Sequence, residues 1–343
     1  MPTTPKTLKK AKDTSDKMEG LMSNLDIIKE ADSFPHVETE LQAFRALTSR
    51  LYKFIWEEGH TMLGYMMEPV VQQLLATPQF VRGPVIVDDD ARTVRAFTYL
   101  EPEWKRTSRI AMTTRYWRDH GIFDTLKGWR DEDWPVYDHA GNILFSVERS
   151  AIGLFGVMRY GVHLTAYVRD RQVPYGMKIV VAQRSPTKET YPNMLDNSVA
   201  GGLRTGENPF ECIIREAHEE AGIPPRFMRC HGVFAGNVTY MHIADERSGG
   251  EVGQIYPEMQ WIFDVEVPAD FKPKSYDGEV ARFYLWTVDE VREKLAQGLF
   301  KPNCALVLLN FLMRHGIITR DNEPDYSEIL CRMHRKLPFP MKC

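Results

Sequence analysis

The sequence predicts an α/β chain in two parts: a smaller α+β domain, followed by a larger unit of strands layered with helices. Three observations carry this. Short strand-like runs bracket one sharply punctuated helix near residues 209–221. Apolar and amphipathic helical patterns, Cys304 to His315 and Asp325 to Lys336, close the C-terminal end. The chain has 343 residues with 43% hydrophobic and 26% charged content, which is ordinary for a globular protein and enough for two domains.

Taken in order, residues 1 to about 20 are rich in Lys, Thr and Ser and lack periodicity. A flexible N-terminal tail is therefore expected, drawn here over 1–35. An α+β domain is expected over 36–157. In it, Leu41 to Leu75 looks helical, with Leu41, Phe44, Leu47 and Leu51 on one stripe. Val85–Val87 and Val94 to Tyr99 read as strands and 108–120 as a helix. Four tryptophans, Trp104, Trp117, Trp129 and Trp134, interleave with Arg118 and Arg130. They form either an aromatic and cationic wall for a flat ligand or the filling of a small core. Residues 148–157 join the halves.

The second domain is expected over 158–343. Val162 to Val168 alternates as a half-buried strand, and Met177 to Ala182 is apolar throughout, as in a strand buried on both faces. Beyond the central helix, Met228 to Phe234, Val238 to Ile243, Met259 to Val267 and Glu279 to Trp286 read as strands. Val288 to Gln297 reads as a helix.

Charge and cysteine content exclude several roles. A net charge of −4 gives no electrostatic case for nucleic acid or an anionic membrane. The longest nearly apolar run, Cys304 to Met313, is too short to span a bilayer. Five scattered cysteines without a C-x-x-C argue against a disulfide framework or zinc site and for a reducing compartment. With no secretory core or Arg-rich transit pattern at the start, a cytoplasmic location is expected. A monomer and a homodimer stay equally open.

The chemistry concentrates in residues 201–223. Asn208 suits an N-cap, Pro209 the first helical turn, Glu211 a capping box and Gly222 the left-handed stop. Phe210, Ile213, Ile214, Ala217 and Ala221 form the buried stripe. Glu216, Glu219 and Glu220, spaced i, i+3, i+4, crowd like charges that repel unless a cation offsets them. Three hard oxygen ligands suit Mg²⁺ or Mn²⁺. Gly201, Gly202 and Gly206 let the backbone approach a ligand closely.

This stretch resembles the signature of the Nudix hydrolases, G-x5-E-x7-R-E-U-x-E-E-x-G-U with U apolar. Gly201, Glu207, Arg215, Glu216, Glu219, Glu220, Gly222 and Ile223 fill the fixed positions. Ala217 stands at the first U position. Further segments are similar to a fungal and plant subgroup whose N-terminal domain is related to a region beside thiamin pyrophosphokinase. They include Leu126–Asp131, Phe155–His163, Ala182–Pro192, Asp277–Val280 and Lys301–Leu306. The resemblance implies a Nudix α/β/α sandwich with a mixed sheet. It also implies a metal-dependent diphosphatase acting on thiamin diphosphate and, preferentially, its damaged oxy- and oxo- forms, releasing the monophosphate and phosphate.

On this reading Glu216, Glu219 and Glu220 are metal ligands, with the Gly201 carbonyl a possible fourth. The base is Glu216 or a carboxylate of the later loop, with Glu279 favoured over Asp277 for its reach. Glu207 and Arg215 brace the loop against the helix. Arg184 and Lys188 either hold the terminal phosphate or are surface cations. The ligand pocket is expected between the domains, with at least one of Trp117, Trp129 and Trp134 against the organic part of the substrate. Three alternatives stay open: a Nudix hydrolase of ADP-ribose or another nucleotide-type diphosphate, an isopentenyl diphosphate isomerase-like enzyme, and a non-catalytic Nudix sensor or scaffold. Of these, the isomerase lacks its cysteine-bearing segment here, where Leu195–Gly201 stands instead.

Overall fold

A computed structural model of the chain describes residues 20–56 and 61–342. The tail expected at residues 1–19 lies outside the described residues. Residues 24–35, assigned to that tail by the sequence, are instead docked. Helix α1 (Asn24–Ala31) opens with a capping box in which Ser23 and Asp26 bond reciprocally. It buries Leu25, Ile27, Ile28 and Ala31 against the C-terminal helices. The apolar spacing of Leu-x-Ile-Ile-x-x-Ala was the available signal, and the polar tail next to it masked it.

The N-terminal domain follows with α2 (Leu41–Thr48), β1 (Leu51–Trp56), β2 (Thr61–Met67), α3 (Glu68–Ala76), α4 (Gln79–Arg82), β3 (Val85–Asp88) and β4 (Thr93–Ala96). The helical pattern expected from Leu41 to Leu75 is thus interrupted by the antiparallel strands β1 and β2. From Leu51 the burial alternates at Tyr52, Phe54 and Trp56, and bulky aromatics at period two fit a sheet better than a helix. The sheet order is β2-β1-β4-β3, with β1 and β4 parallel. Helix α5 (Glu103–Asp119) packs on the hairpin of β5 (Asp133–Tyr137) and β6 (Ile143–Glu148), and α6 (Ile152–Phe155) leads out of the domain.

Trp117 on α5 lies wholly inside this domain's core. Its indole Nε1 donates to the Thr77 hydroxyl at 2.7 Å, and its ring packs on Phe123 and Phe155. The expectation that Trp117 could touch a substrate is corrected: helical spacing from Ile110 and Thr113 turns it inward. Trp117→Ala is expected to cost about 3–5 kcal/mol of stability. Its signature would be a lower thermal midpoint with an unchanged KM in whatever protein remains folded.

The C-terminal domain contains β7 (Arg159–Arg169), β8 (Met177–Arg184), β9 (Leu195–Asp196), β10 (Val199–Gly202), α7 (Pro209–Ala221), α8 (Pro225–His231), β11 (Val233–Ile243), β12 (Ile255–Glu266), β13 (Val280–Thr287), α9 (Val288–Ala296), α10 (Pro302–Arg314) and α11 (Tyr326–Met333). Residues 228–231, expected to begin a strand, are helical. Pro224 and Pro225 set the first turn, and the short apolar run did not distinguish the two states.

The sheet order is β11-β12-β7-β8-β13, and the sheet is mixed: β12 and β7 run parallel and the other pairs antiparallel. One face packs on α7 through Val162, Leu164, Met259 and Phe263. The other packs on α10, with α1, α9 and α11, through Ile179, Val181, Val238 and Ile262. This is an α/β/α sandwich with a separate α+β domain before it. Strands β7 and β8 pair directly only from Tyr167 to Arg169. Beyond that they diverge, β10 lying along β7 and β9 along β8. The sheet therefore splays open at one end, under the N-terminal domain. Among the described residues, no helix is long and apolar enough to cross a membrane.

Candidate active site

Helix α7 positions the acidic residues. Asn208 caps it by accepting from the Phe210 amide at 2.8 Å, and Gly222 ends it in the left-handed region at φ 68°. Glu211 does not complete a capping box; it pairs with Arg229 on α8 at 2.5 and 2.7 Å. Arg215 is the hub of the acidic face. It bonds Glu207 through two nitrogens at 2.9 and 3.0 Å, Glu216 at 2.8 Å and Glu219 at 3.2 Å. The loop is thereby clamped to the helix.

The three helix carboxylates sit in different surroundings. Glu216 lies against Gly201: a Cβ there would stand 2.2 Å from its carboxyl carbon. Burial pushes the Glu216 carboxyl up to about 7, against the pull of Arg215. Glu220 is buried and accepts from the Ala200 amide at 3.0 Å. Burial, then Glu216 and Asp196, raise its pKa well above the ordinary carboxylate range. Glu219 points outward toward Arg215, its side chain 44% exposed.

The loop before β13 completes the group. Oxygen atoms of Glu220, Asp277 and Glu279 lie within 4.8 Å of one another. Glu279 is also tied to Lys188 and lies 3.6 Å from Arg130. Burial raises its pKa, but Lys188 and the arginines outweigh that and hold it below the ordinary value. These carboxylates, converging from a helix and a loop, form a hard, all-oxygen donor set. Two of them resist ionisation without a cation nearby. Such a set fits Mg²⁺ or Mn²⁺.

The acidic group opens into a cavity of about 460 Å³. Its walls come from both domains: Arg130, Trp134 and Arg149 on one side, and Arg159, Lys188, Glu216, Gln260 and Glu279 on the other. Of the three candidate tryptophans, only Trp134 reaches it. Its ring closes over Gly202, where a Cβ would meet it at 2.2 Å, and Arg149 and Arg159 lie 5.2 and 5.5 Å from its centre. Trp129 does not line the cavity. It is covered by Arg118 at 4.4 Å and donates to Asp131. An indole held by an adjacent turn carboxylate and stacked by a helix arginine is committed locally.

Arg184 is corrected as well. It lines the cavity, but its guanidinium donates to Asp196, the Thr190 and Tyr191 carbonyls and the Thr190 hydroxyl. All three nitrogens are engaged, Nη1 with Asp196 on β9 and Nε and Nη2 with the 185–194 loop. The cations that remain near the carboxylates are Arg130, Arg149 and Lys188. Arg149 was missed because it lies in the linking segment, far in sequence from the acidic helix. Glu258 and Gln260 were also missed. Their signal was present: polar residues at alternate positions in β12, where every residue but the last is buried.

Comparisons with known proteins agree with this geometry. Residues 160–304 match the NUDIX domain, and residues 38–159 match a domain of unknown function, DUF4743. The chain is 32% identical to the uncharacterized protein YJR142W of Saccharomyces cerevisiae over 95% of its own length and 94% of that protein. It is 36% identical to Nudix hydrolase 20, chloroplastic, of Arabidopsis thaliana over 67% of its own length and 58% of that protein. It is 35% identical to Nudix hydrolase 24, chloroplastic, of the same plant, over 68% and 60%.

Proposed function

We propose that this chain, which belongs to the Nudix hydrolase family, hydrolyses thiamin diphosphate and its damaged oxy- and oxo- forms to the monophosphate and phosphate. Members of the family hydrolyse phosphorus-containing anhydrides, and a small-molecule diphosphate is the substrate class. The finer reading takes Mg²⁺, or Mn²⁺, as cofactor and a cytoplasmic setting. The observation that carries it is the cavity shared by both domains, whose lining includes acidic residues of the candidate metal site together with Trp134 and Tyr256.

Glu216, Glu220 and Glu279, with Asp277 and the Gly201 carbonyl, would hold the metal. When bound, the ion supplies neutralisation of phosphate oxygens and a lower pKa for water. The chain's own residues supply the rest. Arg130, Arg149 and Lys188 hold the diphosphate oxygens by charge-assisted hydrogen bonds. Glu279 orients the attacking water and takes its proton, which Lys188 favours by keeping the carboxyl ionised. Arg215 and Glu207 fix the loop that carries Gly201. Trp134 and Tyr256 present apolar rings to the organic head in the same cavity.

Steady-state kinetics test the reading. Trp134→Ala is expected to raise KM for thiamin diphosphate roughly tenfold, with kcat changed far less. Hydrolysis of methyl diphosphate should be unaffected. Unchanged kinetics in the folded variant would remove Trp134 from the substrate site. A higher kcat/KM for ADP-ribose than for any thiamin compound would replace the substrate assignment.

A further inference from the structure

The segment Lys301–Leu306 stands out in the sequence, yet the hydrolytic chemistry uses none of it. In the fold it is the entry to α10. Lys301, Pro302 and Asn303 line the shared cavity, and the helix begins at Pro302. The Lys301 amide donates to the Leu195 carbonyl at 2.9 Å, and the Lys301 carbonyl accepts from the Ala305 amide at 2.9 Å. Its backbone is thus pinned between β9 and the first helical turn. Its side chain is partly exposed and belongs to the cavity lining.

Lys301 differs from the other cations of that lining. Every other lysine and arginine there is ion-paired with a carboxylate. Among the described residues, the Lys301 ammonium has neither an ion pair nor a hydrogen bond. The centre of the Tyr191 ring lies 5.7 Å from it, near the outer limit of a cation–π contact.

Two carboxylates, Asp196 and Glu258, act on Lys301 from farther off, and every oxygen of both is already engaged. Asp196 Oδ2 accepts from Arg184 at 2.8 Å, and its Oδ1 accepts from the Asn197 amide at 2.8 Å and the Cys304 thiol at 2.7 Å. Glu258 Oε1 faces Arg159 Nη1 at 3.3 Å, and its Oε2 accepts from the Tyr240 hydroxyl at 2.5 Å and Gln260 Nε2 at 2.7 Å. The charges therefore cancel in pairs, Arg184 with Asp196 and Arg159 with Glu258. Burial holds His163 and His242, which also line the cavity, below the ordinary imidazole pKa, so neither adds a charge. Lys301 is left as a surplus cation. Burial, then the charge of Arg184, lower its own pKa. An enclosed ammonium without an acceptor is unfavourable, and because it only donates, a ligand oxygen relieves it and a ligand N–H does not.

We propose that Lys301 is a specificity-determining residue that donates to a ring carbonyl oxygen on the organic head of the ligand, and so favours oxo-bearing rings over their amino counterparts. A ring amino group presents N–H donors, and its lone pair is drawn into the ring, so it meets the ammonium donor against donor. An oxo group at the same ring position is an acceptor with two lone pairs. One donor reading one atom discriminates between the two forms. The inference rests on the thiamin reading for the identity of the ring, whose pyrimidine carries amino in thiamin and oxo in oxythiamin.

The test compares kcat/KM for thiamin diphosphate and oxythiamin diphosphate at saturating Mg²⁺, with methyl diphosphate as a ring-free control. The wild-type chain should favour the oxo compound roughly tenfold, as one charge-assisted hydrogen bond allows. Lys301→Met keeps most of the apolar stem and removes the donor. It should lower kcat/KM for oxythiamin diphosphate roughly tenfold and change the other two substrates by less than about threefold. Lys301→Arg retains a charged donor and should keep the preference. Lys301→Gln, which removes the charge at similar bulk, should lose the preference and serves if the methionine variant melts early.

Equal kcat/KM for the two thiamin compounds in the wild type would overturn the proposal, and so would a preference retained in Lys301→Met. Equal losses on both compounds in that variant would also overturn it, by showing that Lys301 only supports the fold. Failure of the substrate reading looks different: methyl diphosphate is turned over and neither thiamin compound is. The comparison is then made between uridine and cytidine diphosphates, which differ by the same oxo-for-amino exchange. Absence of a Lys301-dependent preference there overturns the carbonyl-reading role.

Discussion

Glu220→Gln is expected to lower turnover by at least about 100-fold while the fold persists. The substitution keeps the length of the side chain, and an amide oxygen still accepts from the Ala200 amide that now bonds Glu220 at 3.0 Å. What it removes is charge. Glu220 is the one α7 carboxylate whose oxygen meets both Asp277 and Glu279, so it joins the helix to the loop in the donor set. It is also buried beside Glu216 and Asp196, which oppose its ionisation. Neutralising it relieves that opposition, so the thermal midpoint should hold or rise slightly. The check is kcat at saturating Mg²⁺ beside a melting curve. Near-normal turnover would show that Glu220 is not part of the metal site.

Gly201→Ala is expected to have the next largest effect, a loss of about 100-fold in kcat/KM. The backbone at Gly201 is not in the left-handed region, so an alanine fits it without strain. The obstacle is Glu216. The new Cβ would stand 2.2 Å from its carboxyl carbon and 2.3 Å from Cγ and Oε1. Glu216 must swing away from Gly201, breaking its 2.8 Å bond to Arg215. Overpacking of this kind costs about 1–3 kcal/mol of stability. Kinetics and thermal melting measured together check this. Full activity in a folded Gly201→Ala protein would mean that Glu216 is dispensable where it now lies.

Much of this was legible in the sequence, and the reasons differ by element. The ends of α7 were written locally, in Asn208, Pro209 and Gly222, and local signals need no tertiary context. Strand β8 followed from unbroken apolarity, whereas β7, read from its alternation as half-buried, is buried on both faces from Tyr160 to Val168 because it lies inside the sheet between helical layers. The paired strands at 51–56 and 61–67 were not legible, because Leu51 continued a helical stripe while Tyr52, Phe54 and Trp56 obeyed another period. Residues 24–31 were absorbed into the neighbouring polar tail.

At the site, spacing on one helix brought Glu216, Glu219 and Glu220 to one face, but it did not say which would be buried. Packing decided that: Glu220 went under β10, and Glu219 stayed outside with Arg215. Arg184 looked like a phosphate ligand because it preceded the glycine loop. Its donors are consumed by Asp196 and two carbonyls, which only the folded loop 185–194 reveals. The tryptophan cluster divided in the same way. Trp117 follows the buried stripe of α5, Trp129 is held within its turn, and Trp134 alone faces the cavity from a strand next to the domain boundary.

The most direct test of the central claim is phosphorus NMR of thiamin diphosphate incubated with the purified chain, with and without Mg²⁺. The account predicts that the two diphosphate resonances give way to thiamin monophosphate and inorganic phosphate in equal amounts. It also predicts that the change stops on chelation and is reduced at least about 100-fold in Glu220→Gln. Persistence of the diphosphate signals with Mg²⁺ present, or equal conversion by Glu220→Gln, would contradict it.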